Sequence, residues 1–306
     1  MTLPMTLRTL FHLALLLALP PLLVGIVNRT KAIVAGRRGP PLLQAYFDLA
    51  KLLRKGAVYS RTTSWVFRAG PVLGLAAIAS AGLLLSMGGA PSLVAFGGDF
   101  VLFAYLLGLA RFVTALAALD TGSPFEGMGA AREVTFASLA EPALFLCLLV
   151  LARATGALSL GGMLGPALPG AWDHAAPALA LAAIGLFVLA LAENARIPVD
   201  DPNTHLELTM IHEVMVLDHG GPDLAFILYG ASMKLFLFGA ILSRLVFGHG
   251  DGALAAELLF LAGILAFAVG IGLVESSMAR LRMIRVPQLL VGASVLSAFA
   301  LVLLLR

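Results

Sequence analysis

Long apolar runs separated by short polar segments make up most of this chain. A helix needs about 20 mostly apolar residues to cross the hydrocarbon core of a bilayer, which is about 30 Å thick. Eight runs meet this requirement, with ends defined to within about 2–4 residues. They cover residues 7–28, 70–90, 99–120, 134–156, 174–195, 224–247, 255–275 and 286–305. The pattern predicts an all-α integral membrane protein with eight transmembrane helices, folded as a single membrane domain over residues 1–306.

The polar segment after the first run has a helical pattern of its own, over about residues 39–55. Polar and apolar side chains recur on opposite faces of this segment. The polar face carries Gln44, Asp48, Lys51 and Lys55, and the apolar face carries Leu42, Tyr46, Leu49 and Leu53. Such a pattern predicts an amphipathic helix lying at the membrane surface. It either anchors the chain on anionic lipid or supports a docked partner protein.

Composition supports the membrane interpretation and limits the chemistry of the chain. The sequence is 60% hydrophobic and 12% charged, with a mean hydropathy of +0.99. The single cysteine, Cys147, cannot form an internal disulfide or a multi-cysteine metal site. Residues 20–29 lack a small-residue cleavage site, which favours a retained first helix. We therefore expect no cofactor on this chain, and the basic loop lacks the aromatic interleaving of a nucleic-acid site.

The distribution of the 20 Lys and Arg residues predicts the orientation of the chain. By alternation across the eight predicted spans, the loops 29–69, 121–133, 196–223 and 276–285 share one side and hold 14 of these residues. The opposite side holds four, and Arg111 and Lys234 fall inside spans. The positive-inside rule then places these loops in the cytoplasm and both termini outside.

Five of the ionisable residues within or at the ends of predicted spans stand out as functional candidates. They are Arg111, Glu141, Glu193, Lys234 and Glu275. Charged groups at membrane depth are costly and usually face a protein interior or a watery cavity, so each is a candidate for a proton or ion pathway. The simpler alternatives are static pairs between helices for the two cations and interface markers for Glu193 and Glu275.

The most polar segment follows the fifth span, as ENARIPVDDPNTHLELTMIHE over residues 193–213, within an acidic loop of about residues 193–223. His205 and His212, with Glu213, raise the question of a metal site. No HExxH arrangement or third ligand at a fixed spacing accompanies them, so we predict no metal site. A polar loop with two prolines suits a rigid docking surface.

Three motifs together resemble a known family. The first is RTKAIVAGRRGPPLLQAYFDLAKLLRK at residues 29–55, and the second is REVTFASLAE at residues 132–141, which pairs Arg132 with Glu141. The third has the spacing ExxRxPxDxxxxxxE and comprises Glu193, Arg196, Pro198, Asp200 and Glu207. Over nearly its whole length the chain resembles the membrane subunit of group 4 nickel–iron (NiFe) hydrogenases, including formate hydrogenlyase and hydrogenase-4. That membrane protein is homologous to subunit 1 (the H-type protein) of respiratory complex I.

The resemblance implies a non-catalytic membrane subunit of an oxidoreductase complex in a bacterial or archaeal cytoplasmic membrane. It would anchor a NiFe hydrogenase module and couple electron transfer to proton or sodium translocation. The implied partners are the hydrogenase large and small subunits, iron–sulfur electron-transfer subunits and antiporter-like membrane subunits. The NiFe centre and iron–sulfur clusters would belong to those partners.

The resemblance and the membrane charges together suggest two sets of functional residues. By resemblance, Glu141, Glu193, Asp200 and Glu207 would form an acidic funnel. The full candidate pathway comprises Glu141, Glu193, Asp200, Glu207, Arg111, Lys234 and Glu275. The candidate docking residues are Arg37, Arg38, Asp48, Arg132, Arg196, Pro198, His205, His212 and Glu213.

Departures from the complex I pattern favour the hydrogenase branch. Where the complex I protein carries further acids, this chain has Asn203 and His205, and it has Lys234 near a position usually occupied by Glu. The run ARLRMIRVPQLL at residues 279–290 also reads like the hydrogenase branch. Two alternatives stay open: a complex I subunit contributing to a quinone site, and a free-standing secondary transporter, for which we find no internal repeat.

Overall fold

The computed structural model describes residues 5–88, 90–200, 210–248 and 253–305, with only the backbone of residues 5–8 and 253. Its regular elements are helical. They are α1 Met5–Ala18, α2 Pro20–Val34, α3 Gln44–Leu53, α4 Trp65–Leu83, α5 Asp99–Asp120, α6 Pro124–Thr155, α7 Leu160–Met163, α8 Leu168–Glu193, α9 Gly221–Phe247, α10 Ala253–Ser277 and α11 Val286–Leu303. Short 3-10 turns cover Glu213–Val216 and Met283–Arg285.

The predicted all-α membrane fold is confirmed. Within the described ranges, seven helices are long and apolar enough to cross a membrane, and the bent pair α1 and α2 brings the number of spans to eight. α5 packs on α4, α11 packs on α6 and α8, and α10 packs on α2 and α9. The core between them is built from Leu, Ala and Phe side chains.

The first span breaks because Pro20 and Pro21 have no backbone donor. The break bends α1 against α2 by 44° and leaves the last carbonyls of α1 without helical partners. Backbone carbonyls cannot stay unpaired inside a membrane. Tyr229 of α9 donates to the Leu17 carbonyl over 2.7 Å, and the Tyr46 hydroxyl of α3 donates to the Ala18 carbonyl. The break therefore holds the amphipathic helix against the bundle.

Several predicted boundaries were wrong. The first span ends at Val34 instead of residue 28, and the second covers Trp65–Leu83 instead of 70–90. Residues 124–133, predicted as loop, form the first turns of α6, because a helix started by Pro124 continues past the apolar core into water. α8 begins before the predicted residue 174 and bends at Ala175, two residues before Pro177. The amphipathic helix is shorter than predicted, Gln44–Leu53.

Candidate functional site

Four charged side chains from four helices form one network that runs from the interior of the bundle to its surface. Arg111 of α5 donates from Nη1 to Glu193 Oε1 over 2.9 Å and from Nη2 to Glu141 Oε1 over 3.0 Å. Lys234 Nζ of α9 lies 3.5 Å from Glu193 Oε2. The sequence named all four as pathway candidates, and the structure brings them into one charged network. Each charge has an opposite partner, which lowers the cost of placing it at membrane depth.

The end of α8 positions Glu193. The helix closes in a Schellman motif, in which the Arg196 amide donates to the Leu191 carbonyl over 2.9 Å and the Ala195 amide to the Ala192 carbonyl over 3.4 Å. This motif needs a left-handed residue, and Ala195 supplies it with φ at 51°. Glu193 is the last helical residue before this turn, so its carboxylate stays inside the bundle while the chain leaves toward Asp200.

The Asp200 carboxylate closes the polar loop that follows. Its Oδ2 accepts hydrogen bonds from the amides of Ile211 and His212, both over 3.1 Å, and its Oδ1 accepts from Arg280 Nη2 over 2.9 Å. The pKa of Asp200 reflects opposing causes: burial raises it, but the bonds from His212 and the charge of Arg280 outweigh burial and hold it below its usual range. Asp200 therefore acts as an ionised clamp on both ends of the segment 201–209.

His212 joins this clamp to the membrane network. Its Nε2 lies 3.1 Å from Glu133 Oε2 of α6, and its Nδ1 lies 3.5 Å from Asp200 Oδ2. Burial alone would lower the pKa of His212, but the charges of Glu133 and Asp200 hold it above its usual value. The hydropathy pattern did not reveal Glu133, because this residue precedes the apolar run and was predicted to lie in a loop. The available signal was the helical period: eight residues before Glu141, Glu133 lies about 80° from it around the helix axis, away from the exposed side on which Glu141 lies.

A second cluster surrounds Glu275 of α10, whose side chain is fully buried. Its Oε2 lies 2.7 Å from Lys31 Nζ, and its Oε1 lies 3.5 Å from Arg196 Nη1. The sequence predicted Glu275 and Arg196 but placed Lys31 in a loop. Because α2 extends to Val34, Lys31 instead reaches the Ser277 end of α10 from a neighbouring helix. This cluster fastens α2, α10 and the polar loop to one another.

The remaining docking candidates have different environments. Arg132 Nη1 donates to the Met210 carbonyl over 2.8 Å, and the Pro198 carbonyl accepts from the Leu281 amide over 2.9 Å, so both stabilise the loop. Arg37 and Arg38 are exposed. Asp48 is exposed and accepts from Gln44 over 2.8 Å. The candidates His205 and Glu207 lie outside the described residues.

A cavity of about 590 Å³ lies beside the charged network. Its walls come from α2, α3, α4, α5, α6 and α9, from the chain just after α8, and from the turn that contains Glu213. Arg111, Glu133, Arg196, His212 and Lys234 all line it. The cavity thus connects the polar loop with the cations at membrane depth. Within the described ranges, no three His, Cys, Asp or Glu side chains are grouped as metal ligands.

Comparisons with known proteins agree with this architecture. A profile of the family described as NADH dehydrogenase matches residues 7–306. Hydrogenase-4 component C of Escherichia coli (strain K12) is 34% identical over 237 residues, which cover 77% of this chain and 73% of that protein. Formate hydrogenlyase subunit 4 of the same organism is 30% identical over 293 residues, covering 92% of each chain.

A solved structure shares the fold. It is a chain from the membrane-bound sulfane sulfur reductase, an archaeal respiratory membrane complex, with a TM-score of 0.82 and 21% identity. The match covers 98% of this chain and 99% of that one. The resemblance seen in the sequence motifs is confirmed: the chain belongs to the NADH dehydrogenase family of membrane subunits, the H-type family of complex I, and is related to the membrane subunits of hydrogenase-4 and formate hydrogenlyase.

Proposed function

We propose that this chain anchors a NiFe hydrogenase module at the cytoplasmic face of the membrane and couples its electron transfer to proton or sodium translocation. Its relatives in hydrogenase-4 and formate hydrogenlyase support the hydrogenase part of this proposal. The hydrogenase large and small subunits and the iron–sulfur subunits hold the redox centres. Antiporter-like membrane subunits lie beside this chain in the membrane, and both of its termini are outside.

One observation carries the coupling proposal: ionisable groups continue from the cytoplasmic loop to the middle of the membrane. Asp200, His212 and Glu133 contact one another in sequence, and Glu133 lines the same cavity as Arg111 and Lys234. A change of charge at the cytoplasmic end alters the proton affinity of the next group, because charges interact strongly where water is scarce. Redox chemistry in a docked module can thereby bias protonation inside the membrane.

Substitution of Glu141 tests the coupling. Glu141→Gln keeps the shape and removes the charge at the end of the network, so we expect less ion movement per hydrogen evolved while the complex stays assembled. The measurement is ion uptake by vesicles that contain the whole complex, normalised to hydrogen evolution. Asp173→Asn, an exposed residue outside the network, is the matched control. Normal ion uptake by the Glu141 variant would contradict coupling through this residue.

Docking of the module is tested separately with Arg196. Its guanidinium lies 3.5 Å from Glu275 and fastens the loop, so Arg196→Ala should release the hydrogenase module from membranes. The measurement is the fraction of hydrogenase activity that remains with washed membranes. Arg54→Ala, which removes an exposed cation at the end of α3, is the control. Full retention of activity on the membranes in the Arg196 variant would count against the loop as the clamp.

The cavity favours one second candidate function, a quinone site of the complex I type. Its volume of about 590 Å³ lies within the range of about 300–1,000 Å³ that is usual for small-molecule pockets. A purified complex that reduces quinone with NADH and contains no nickel would favour this candidate. A nickel-containing complex that evolves hydrogen and leaves quinone unreduced would favour the hydrogenase.

A further inference from the structure

Glu141 lies on the outer surface of the bundle, unlike its partners. Its side chain is 49% exposed, whereas those of Arg111 and Glu193 are 10% and 6% exposed. Only Oε1 is held, by Arg111, and Oε2 makes no hydrogen bond within the described part of the chain. Glu141 is thus the lateral end of the charged network.

This carboxylate lies near the middle of the membrane. It is level with Gly108 of α5, where an added Cβ would lie 3.7 Å from Glu141 Oε1. At a rise of about 1.5 Å per residue, Gly108 is about 14 Å from the Asp99 end of α5 and about 18 Å from the Asp120 end. A hydrocarbon core about 30 Å thick places both ends near the interfaces and Glu141 near the midplane. Lipid tails offer no partner for a half-exposed carboxylate at that depth.

The same face of α6 is polar over two turns. Thr135, Ser138 and Glu141 follow at intervals of three residues, and all three are exposed. The hydroxyls already donate within the helix, from Thr135 to the Ala131 carbonyl and from Ser138 to the Thr135 carbonyl. Pro142 has no backbone donor, so the Ser138 carbonyl lacks its usual helical partner. The stripe therefore presents acceptors and needs donors.

The neighbouring helix completes a notch around this stripe. Gly108 has no side chain to cover Glu141, and the rings of Tyr105 and Phe145 pack at 6.1 Å between centroids on the Asp99 side of it. Leu109 and Phe112 continue the exposed face of α5 toward the other interface. The notch is thus bordered by large apolar side chains and has an acceptor group at its centre, which suits a helix carrying one polar side chain.

We propose that this α5–α6 face docks a transmembrane helix of another subunit, and that this helix presents a hydrogen-bond-donating side chain to Glu141. The inference rests on the proposed function for the presence of a membrane partner, and it identifies where that partner binds. A second copy of this chain fits poorly, because a two-fold axis normal to the membrane would bring two Glu141 carboxylates together at one depth. A donor from a different helix satisfies the stripe without this repulsion.

Photo-cross-linking in membranes that contain the complete complex tests the contact. The probe is p-benzoylphenylalanine, placed at Leu109 and, separately, at Ser138. The control position is Leu265, which is exposed near the middle of α10, a helix that packs on α2 and α9. We expect both test positions to join one transmembrane peptide of another subunit that has a donor side chain near its centre. That peptide should be absent from the cross-links formed at position 265.

Three results would overturn the proposal: lipid as the sole product at both test positions, a cross-link to a second copy of this chain, or a joined peptide without a donor side chain.

A second measurement compares two variants of Glu141. Glu141→Leu should lower the cross-link yield from position 109 at least about fivefold, because the partner's donor loses its acceptor, whereas Glu141→Gln should retain the yield. An unchanged yield in Glu141→Leu would refute the donor contact. Normal ion uptake by Glu141→Gln would defeat the coupling proposal and leave these cross-links intact.

Discussion

Replacing Asp200 by Ala should release the polar loop from the bundle. The Asp200 carboxylate is buried and joins two amides of the returning chain, Ile211 and His212, with the guanidinium of Arg280. An alanine leaves all three without this acceptor. The returning chain keeps its bond from Arg132 to Met210. We therefore expect local opening of the loop and not unfolding of the bundle.

The size of the effect follows from these contacts. A buried amide that loses its acceptor costs about 1–3 kcal/mol. The Ile211 amide is buried, but the His212 amide is only partly buried and contributes at the low end of this range, about 1 kcal/mol. Arg280 is 19% exposed, so it can turn toward water and adds little. His212 retains its contact with Glu133. We expect a loss of about 2–4 kcal/mol in the free energy of loop opening, which is about a 30- to 900-fold increase in the opening equilibrium.

Hydrogen exchange of the peptide that contains residues 210–216 measures this opening in the purified complex. Exchange of the Ile211 and His212 amides should accelerate by the factor above, while amides in α5 keep their protection. Asp200→Asn, which keeps one acceptor oxygen, should fall between the wild type and the alanine variant. Asp218→Ala removes an exposed acid from the same connection and is the control. Acceleration below about threefold in Asp200→Ala would refute the clamp.

Three further predictions concern other contacts. The raised pKa of His212 means that its stabilising contribution is complete below the pKa of about 6.5 of an unfolded histidine and is lost as pH rises through the folded value. The protection factors of the loop amides, which are corrected for the intrinsic rise of exchange with pH, should therefore fall as pH increases above about 6.5 and should not depend on pH in His212→Gln. Gly25→Ala places a Cβ 2.0 Å from the Leu42 carbonyl oxygen, so we expect thermal unfolding to show a loss of about 1–3 kcal/mol in stability. The control is Gly170→Ala, which has open space around it and should change stability by less than about 1 kcal/mol. Glu275→Gln removes the charge that holds Lys31 and Arg196 and should lower stability by about 1–3 kcal/mol in the same assay. An unchanged unfolding midpoint would disprove this prediction.

The sequence predicted the fold well because apolar length alone determines which segments cross a bilayer. It also found Arg111, Glu141, Glu193 and Lys234, since a charge inside an apolar run is conspicuous. It could not pair them, because partners on α5, α6, α8 and α9 are far apart in sequence. Which cation meets which carboxylate depends on helix packing, and a single sequence does not encode that in any local pattern.

Polar site residues just outside the apolar runs were harder to predict from the sequence. Glu133 and Lys31 were predicted to lie in loops, because the apolar run of a spanning segment ends at the membrane surface whereas its helix continues beyond that surface. Both lie on helices that continue into water, and both make buried ion pairs there. The sequence raised the question of whether His205 and His212 bind a metal together. In the structure, His212 contacts two carboxylates, whereas His205 lies outside the described residues.

The length of α6 has a mechanical consequence. Its 32 residues span about 48 Å at about 1.5 Å per residue, well beyond the hydrocarbon core, so the helix is a stiff rod with its Pro124 end outside the membrane. A tilt of about 5° about the level of Glu141 moves Glu133, about 12 Å away along the axis, by about 1 Å. Glu141, at the pivot, stays in place. A displacement of that size is enough to break the 3.1 Å contact between Glu133 and His212. A force applied at the Pro124 end of α6 therefore changes the charge that faces the cavity.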